Sequence, residues 1–273
     1  MPASVPPVTC ANCGNHFEGA FCNQCGEKVL VNEAPSFRDF LRAFRAGGII
    51  RKNKFLHTLW LVVTRPGFVS AEFARGRTVR YASLGSVFFM LNLVYFFFPV
   101  IQLFNASLKT QLLGLQRDYI KTIIARKMIS MNVDIHAFGL LYNAHTTSLA
   151  KLMVMVFVVL ASFPLYLLYY KRNQRFPNHL NYSLELACFN LFINAIVLTL
   201  FVKIFGVGKY LDELVLTGIF VSTNLYFLLR SGAIHFQEKG LSLVLKSILM
   251  ILFLKIALEA YRAILFFVTI WTL

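Results

Sequence analysis

The chain has 273 residues, of which 58% are hydrophobic and only 14% charged, with a mean hydropathy of +0.64. Soluble domains carry roughly a quarter charged residues and no more than about half apolar ones, so this balance excludes an ordinary soluble enzyme and a disordered protein, and makes the bilayer the expected solvent. Lys and Arg outnumber Asp and Glu by 27 to 12, a net charge of +15, and on so apolar a chain that surplus points to anionic lipid headgroups before nucleic acid.

Residues 1–30 hold no apolar stretch of the kind a secretory leader carries, so the amino terminus is expected to stay in the cytoplasm. A Pro-rich lead-in is followed by two CxxCG units, Cys10-Ala-Asn-Cys13-Gly14 and Cys22-Asn-Gln-Cys25-Gly26, with eight residues between Cys13 and Cys22. In each unit two thiolates converge while the glycine permits the turn that aims backbone amides at sulfur, and two such knuckles supply the four tetrahedral ligands of Zn²⁺. A shell of four thiolates leaves no open position, which predicts a structural ion that folds a segment too poor in apolar surface to fold alone. Two disulfides or a rubredoxin-type iron centre are the alternatives, and disulfides need an oxidising compartment. His16 is read as a loop residue beside a complete shell, and Cys188, alone in an apolar run, as a small packing residue.

Residues 35–82 turn basic and amphipathic. Ser36 and Asp39 open a helix with Phe37, Phe40, Leu41 and Phe44 at helical spacing and Arg38, Arg42 and Arg45 between them. Gly47-Gly48 breaks it, and a second stretch to Thr64 sets Arg51, Lys52 and Lys54 beside Phe55, Leu59, Trp60 and Val63 before Pro66-Gly67. Its apolar part is too short to span, so it is expected to lie in the membrane interface with Trp60 at headgroup depth. Arg75, Arg77 and Arg80 close the region as a positive collar, a topology signal rather than a nucleic-acid patch because the cations alternate with large apolar residues.

Five apolar runs follow, near 83–104, 149–170, 183–205, 211–229 and 241–270, each long enough to cross about 30 Å of hydrocarbon. With the amino terminus inside, sixteen Lys/Arg fall in cytoplasmic segments against six outside, which predicts an external carboxyl terminus. Segment 105–148 is basic and must then be translocated; Leu112, Leu115, Tyr119, Ile123 and Ile124 suggest a helix on the outer leaflet, with His136 and His145 as solvated loop residues.

Ionisable groups inside spans are costly and are functional candidates by default. Lys255, Glu259 and Arg262 share one helix face at i,i+4 and i,i+3 spacing, with Lys246 earlier in the same run. They define either a polar path for an anion, lipid headgroup or proton, or the snorkelling end of an overlong helix. Asn190 and Asn194, with Glu185 before them, suit interhelical hydrogen bonds. No nucleophile elbow, P-loop, HExxH or dinucleotide fingerprint is present.

The order Cys10-x-x-Cys13-Gly, Phe21-Cys22-x-x-Cys25-Gly26-Glu27, Thr58-Leu59, Arg65-Pro66-Gly67 and Gly76-Arg77-x-x-Arg80-Tyr81 ahead of a first span resembles the bacterial membrane family catalogued as domain of unknown function 3667. The resemblance covers roughly residues 10–200 and implies an inner-membrane protein with a cysteine-rich head. His179-Leu-Asn-Tyr-Ser-Leu-Glu185 also looks like a family segment, but the family has histidine where Glu185 stands, so no histidine pair is carried over, and His179 is read as a helix-entry residue at the cytoplasmic interface.

The expected architecture is therefore an all-α polytopic membrane protein of about five transmembrane helices with a small N-terminal zinc ribbon. The expected role is an interaction or accessory protein whose ribbon docks a cytoplasmic partner. A transporter or channel using Lys255, Glu259 and Arg262 is the alternative, and an enzyme acting on lipid ranks third because no acid, base or nucleophile set is recognisable.

Overall fold

The computed structural model describes residues 8–28, 52–97, 107–112, 117–170, 176–206 and 213–273. The sequence-predicted helix carrying Arg38, Arg42 and Arg45, together with Arg51, lies outside them. At the amino end, β1 (Val8–Thr9) pairs antiparallel with β2 (His16–Phe17). All other named elements are helical: α1 (Lys52–Thr64), α2 (Phe68–Ala74), α3 (Leu84–Phe97), α4 (Leu108–Leu112), α5 (Arg117–Met131), α6 (Ile135–Leu168) and α7 (Phe176–Asn190). A π-helical stretch, Leu191–Val197, joins α7 without a break to α8 (Leu198–Phe205), and α9 (Glu213–His235) and α10 (Gly240–Thr272) complete the chain. The fold is an all-α polytopic membrane fold.

Among the described residues, three helices are long and apolar enough to cross a membrane: Ile135–Leu168, Phe176–Phe205 and Gly240–Thr272. Among the other two expected spans, α3 is a shorter apolar helix over its described residues, and α9 has 23 residues but carries Thr223, Asn224 and Ser231. One core unites α1, α2, α3, α6, α7, α9 and α10 around Val62, Val69, Val87, Val158, Leu165, Leu184, Phe227 and Tyr261.

The helices α6 and α10 lie antiparallel. Tyr261 Oη donates to the Ala150 carbonyl at 3.0 Å, the rings of Tyr142 and Phe266 are 6.1 Å apart, and Lys246 Nζ sits 4.8 Å from the centre of the Tyr169 ring. Between Ala150 and Tyr169 a helix rises about 28 Å, which matches the hydrocarbon thickness. Yet α6 has 34 residues and α10 has 33, roughly 50 Å each. About 20 Å of both helices therefore extends past the Ala150 and Tyr261 level.

That overhang carries a second core of Leu108, Ile120, Ile124, Phe138, Tyr142 and Phe266. It corrects the reading of segment 105–148. Ile120 and Ile124 of α5 pack onto the overhanging helices instead of resting alone on a leaflet, and residues 135–148 are the first turns of the same helix as the second span. Leu115 falls outside the described residues. His136 and His145 are helical, not loop residues, and His145 Nε2 is 2.8 Å from Thr272 Oγ1.

At the opposite end, where α6 stops and α10 starts, aromatic rings form a floor. Tyr169 stacks on Phe236 at 3.6 Å between centroids, and His179 stacks on the same phenyl ring at 5.7 Å. His179, in the first turns of α7, is fully buried, as a helix-entry residue reading allows. Deeper in the bundle, Asn190 and Asn224 exchange reciprocal amide hydrogen bonds of 2.9 Å, and Asn194 joins them through Asn190 and Thr223. This ladder ties α7 and the π-helical stretch to α9, the interhelical role expected of the two asparagines. Asn224→Leu removes both cross-helix hydrogen bonds of Asn190, which keeps Asn194 and the Leu186 carbonyl as partners, and the expected cost is about 1–2 kcal/mol of stability, measured as thermal unfolding in detergent.

Candidate functional site

The four cysteines of the head come together. Their sulfurs all lie within 4.8 Å of one another, and none is disulfide-bonded. The two knuckles repeat one construction. Gly14 N–H donates to the Cys10 carbonyl at 2.9 Å and Gly26 N–H to that of Cys22 at 2.8 Å, with Gly14 at φ 76° and Gly26 at φ 73°. Both glycines thus occupy the left-handed backbone region that side chains disfavour. Cys10 N–H and Cys22 N–H close the loops onto the carbonyls of Asn15 and Glu27.

The sulfurs then pair across knuckles, Cys10 with Cys25 at 3.5 Å and Cys13 with Cys22 at 3.6 Å. The Glu27 backbone N–H is the chief cause holding the Cys25 thiol below its ordinary range. Burial raises the Cys22 thiol, but the N–H groups of Cys25 and Gln24, together with the neighbouring thiols of Cys13 and Cys25, bring the value down to about 6. Backbone amides aimed at sulfur favour thiolates, the form that binds metal. The donor set and spacing are consistent with a site that could hold a metal ion. His16 is no part of it. It belongs to β2, not to a loop, and its Nδ1 is 3.0 Å from Thr9 Oγ1.

The head is seated on the rest of the chain. Glu27, only 3% exposed, accepts from Thr78 Oγ1 at 2.6 Å, Thr78 N–H at 2.9 Å and Val79 N–H at 3.0 Å. Arg77 Nε donates to the Ala11 carbonyl of the first knuckle at 2.9 Å. Both knuckles therefore grip the collar. Collar cations expected to face lipid are partly engaged within the protein: Arg75 and Arg77 reach the Glu72 carboxylate at 2.8 and 3.4 Å, and Lys54 Nζ donates to the Val79 carbonyl.

Beneath the collar lies a buried polar junction. Glu185 of α7 is completely buried, and its two oxygens accept from Gly67 N–H at 2.9 Å and Ser70 N–H at 2.8 Å at the start of α2. Ser70 Oγ is 3.0 Å from His235 Nδ1, while Tyr182 Oη meets Ser231 Oγ at 2.5 Å. A serine beside a histidine resembles a nucleophile and base, but Ser70 is fully buried and His235 nearly so. Each Glu185 oxygen accepts a backbone N–H, so the carboxylate clamps the start of α2 to α7.

Residues 52–96 match the family model described as protein of unknown function, DUF3667. No curated protein and no solved structure matches the chain. The matched segment comprises α1, the Pro66-Gly67 turn, α2, the collar and most of α3, and its collar contacts the cysteine head through Thr78, Val79 and Arg77. Thr58, inside it, is fully buried, with its Oγ1 accepting from Ala82 N–H at 2.9 Å and donating to the Lys54 carbonyl at 2.7 Å. Trp60 on the same helix is 67% exposed, in keeping with an interfacial ring.

The other sequence candidates sit elsewhere. Lys255 and Glu259 form a 2.7 Å ion pair with 63% and 53% of their side chains exposed, on the perimeter of α10. Arg262 reaches the same carboxylate at 3.2 Å and is 20% exposed. Lys255 precedes Tyr261 by six residues, about 9 Å along the helix and within the reach of a snorkelling ammonium from the Tyr261 level. Lys246 instead pairs with Glu238 at 2.5 Å at the aromatic floor. Cys188 is fully buried beside the Leu84 carbonyl, a packing residue as expected.

Sequence reasoning missed Ser70, His235 and Glu27 as junction residues. Glu27 had a local signal, since it directly follows the second CxxCG. Ser70 and His235 had none, being 165 positions apart.

Proposed function

We propose that the chain is an accessory protein of the bacterial inner membrane whose zinc-bound head, on the cytoplasmic side, recruits a protein partner. The observation that carries this reading is the four-sulfur cluster. A tetrahedral ion with metal–sulfur bonds of about 2.3 Å requires sulfur–sulfur edges of about 3.8 Å, and the closest pairs stand at 3.5 and 3.6 Å. Cys10, Cys13, Cys22 and Cys25 would hold the ion, which stabilises the head and takes no part in chemistry. The positive-inside count supports a cytoplasmic head and an external carboxyl terminus.

The partner surface lies on the second knuckle. Phe21, immediately before Cys22 and 62% exposed, is a large aromatic ring on a metal-braced hairpin, a composition that favours protein recognition. The test is a native pull-down from mild detergent with metal analysis, comparing wild type, the Cys22→Ser and Cys25→Ser double variant, and Phe21→Ser. About one zinc per chain is expected in wild type and in Phe21→Ser. A partner should be retained by wild type alone. Zinc-free wild type, or the same co-purifying proteins in all three samples, would refute the reading.

A further inference from the structure

Glu27 belongs to two structures at once. Its carbonyl accepts the Cys22 N–H at 2.8 Å, closing the second knuckle, and its own N–H faces the Cys25 sulfur. Its side chain leaves that knuckle and ends, buried, on the backbone N–H groups of Thr78 and Val79 and the Thr78 hydroxyl. The direction of the carboxylate is therefore set by the fold of the metal loop.

The contact continues inward through a chain of fixed groups. Residues Thr78 and Val79 sit just beyond Arg75 and Arg77, which bind Glu72 of α2. At its other end α2 is pinned by Glu185 and by Ser70 against His235. A knuckle with no metal has too little apolar surface to hold its shape, since among the described residues its core is Cys10, Phe17 and Cys22 with Cys25 against them, and three of those four are metal ligands.

We propose that the metal in the cysteine head latches the DUF3667 collar through Glu27, so that metal loss frees residues 75–80 and loosens the α2 arm on the membrane helices. The head is thus a metal-responsive latch on its own membrane domain. This rests on the metal reading above and adds to it an intramolecular target.

The collar supplies its own reporter, because Arg75, Arg77 and Arg80 are trypsin sites. The full chain in mild detergent is digested briefly and cleavage after these residues is quantified by mass spectrometry, with cleavage at Lys121 and Arg126 of the distant α5 as an internal reference. Collar cleavage is expected to be slow in the metal-loaded chain and to rise about tenfold or more after chelation and in the Cys22→Ser and Cys25→Ser double variant, through local release. Glu27→Ala should show the same rise while keeping its metal. Wild-type collar cleavage in Glu27→Ala with metal retained overturns the latch and leaves the metal reading standing. Wild type purified without metal overturns both. An equal rise at Lys121 and Arg126 would mean global unfolding and overturns the latch as a local device.

Discussion

Gly67→Ala is expected to leave little folded protein. Gly67 has φ 80°, and a Cβ placed there would lie 2.6 Å from both Cα and Cβ of Ser231 and 2.9 Å from its carbonyl oxygen. The left-handed conformation alone costs an alanine about 1–2 kcal/mol, and the clash adds about 1–3 kcal/mol of overpacking, because the atoms it meets belong largely to the backbone of α9. That backbone cannot retreat freely. Ser231 is held to Tyr182, and one turn further on His235 is held to Ser70. The check is the melting temperature of detergent-solubilised protein followed by fluorescence-detected size exclusion. A variant that melts within about 2 °C of wild type would show that the turn does not press on α9.

The second large effect is at Glu185. Glu185→Ala strands the buried N–H groups of Gly67 and Ser70, at about 1–3 kcal/mol each, and adds a cavity. Glu185→Gln keeps an oxygen for one of the two donors and turns an amide N–H toward the other, so its stability should fall between those of wild type and Glu185→Ala. Urea titration of the three proteins in one detergent gives the order directly. An alanine variant equal to wild type would mean that α2 needs no carboxylate to dock.

What could be read in the sequence divides by distance along the chain. The cysteine head was legible because its chemistry is local: CxxCG twice, with a spacing that allows two hairpins to face each other. The membrane helices were legible because hydropathy sums over consecutive residues. The ends of α6 were not, since residues 135–148 are too polar to register as a span, yet they continue its helix because Phe138 and Tyr142 have a core to enter. Pro66-Gly67 was read correctly as the end of a helix. That its glycine is also required by Ser231 could not be read, for the two are 164 positions apart. The collar looked like a pure charge signal. A charge count has no means of registering that Glu72 and the Ala11 carbonyl would claim part of that charge.

The length of α6 and α10 has a mechanical consequence. Two antiparallel rods of roughly 50 Å, joined side by side over most of their length, behave as a stiff beam passing through the membrane. The membrane cannot be made to fit by stretching a loop, because no loop interrupts the beam between the aromatic floor and the outer core. A thinner bilayer can be met by tilt. Tilting about the midplane swings the Tyr169 and Lys246 end one way and the Phe138 and Phe266 end the other, so the two extremities of this protein move as the arms of a seesaw.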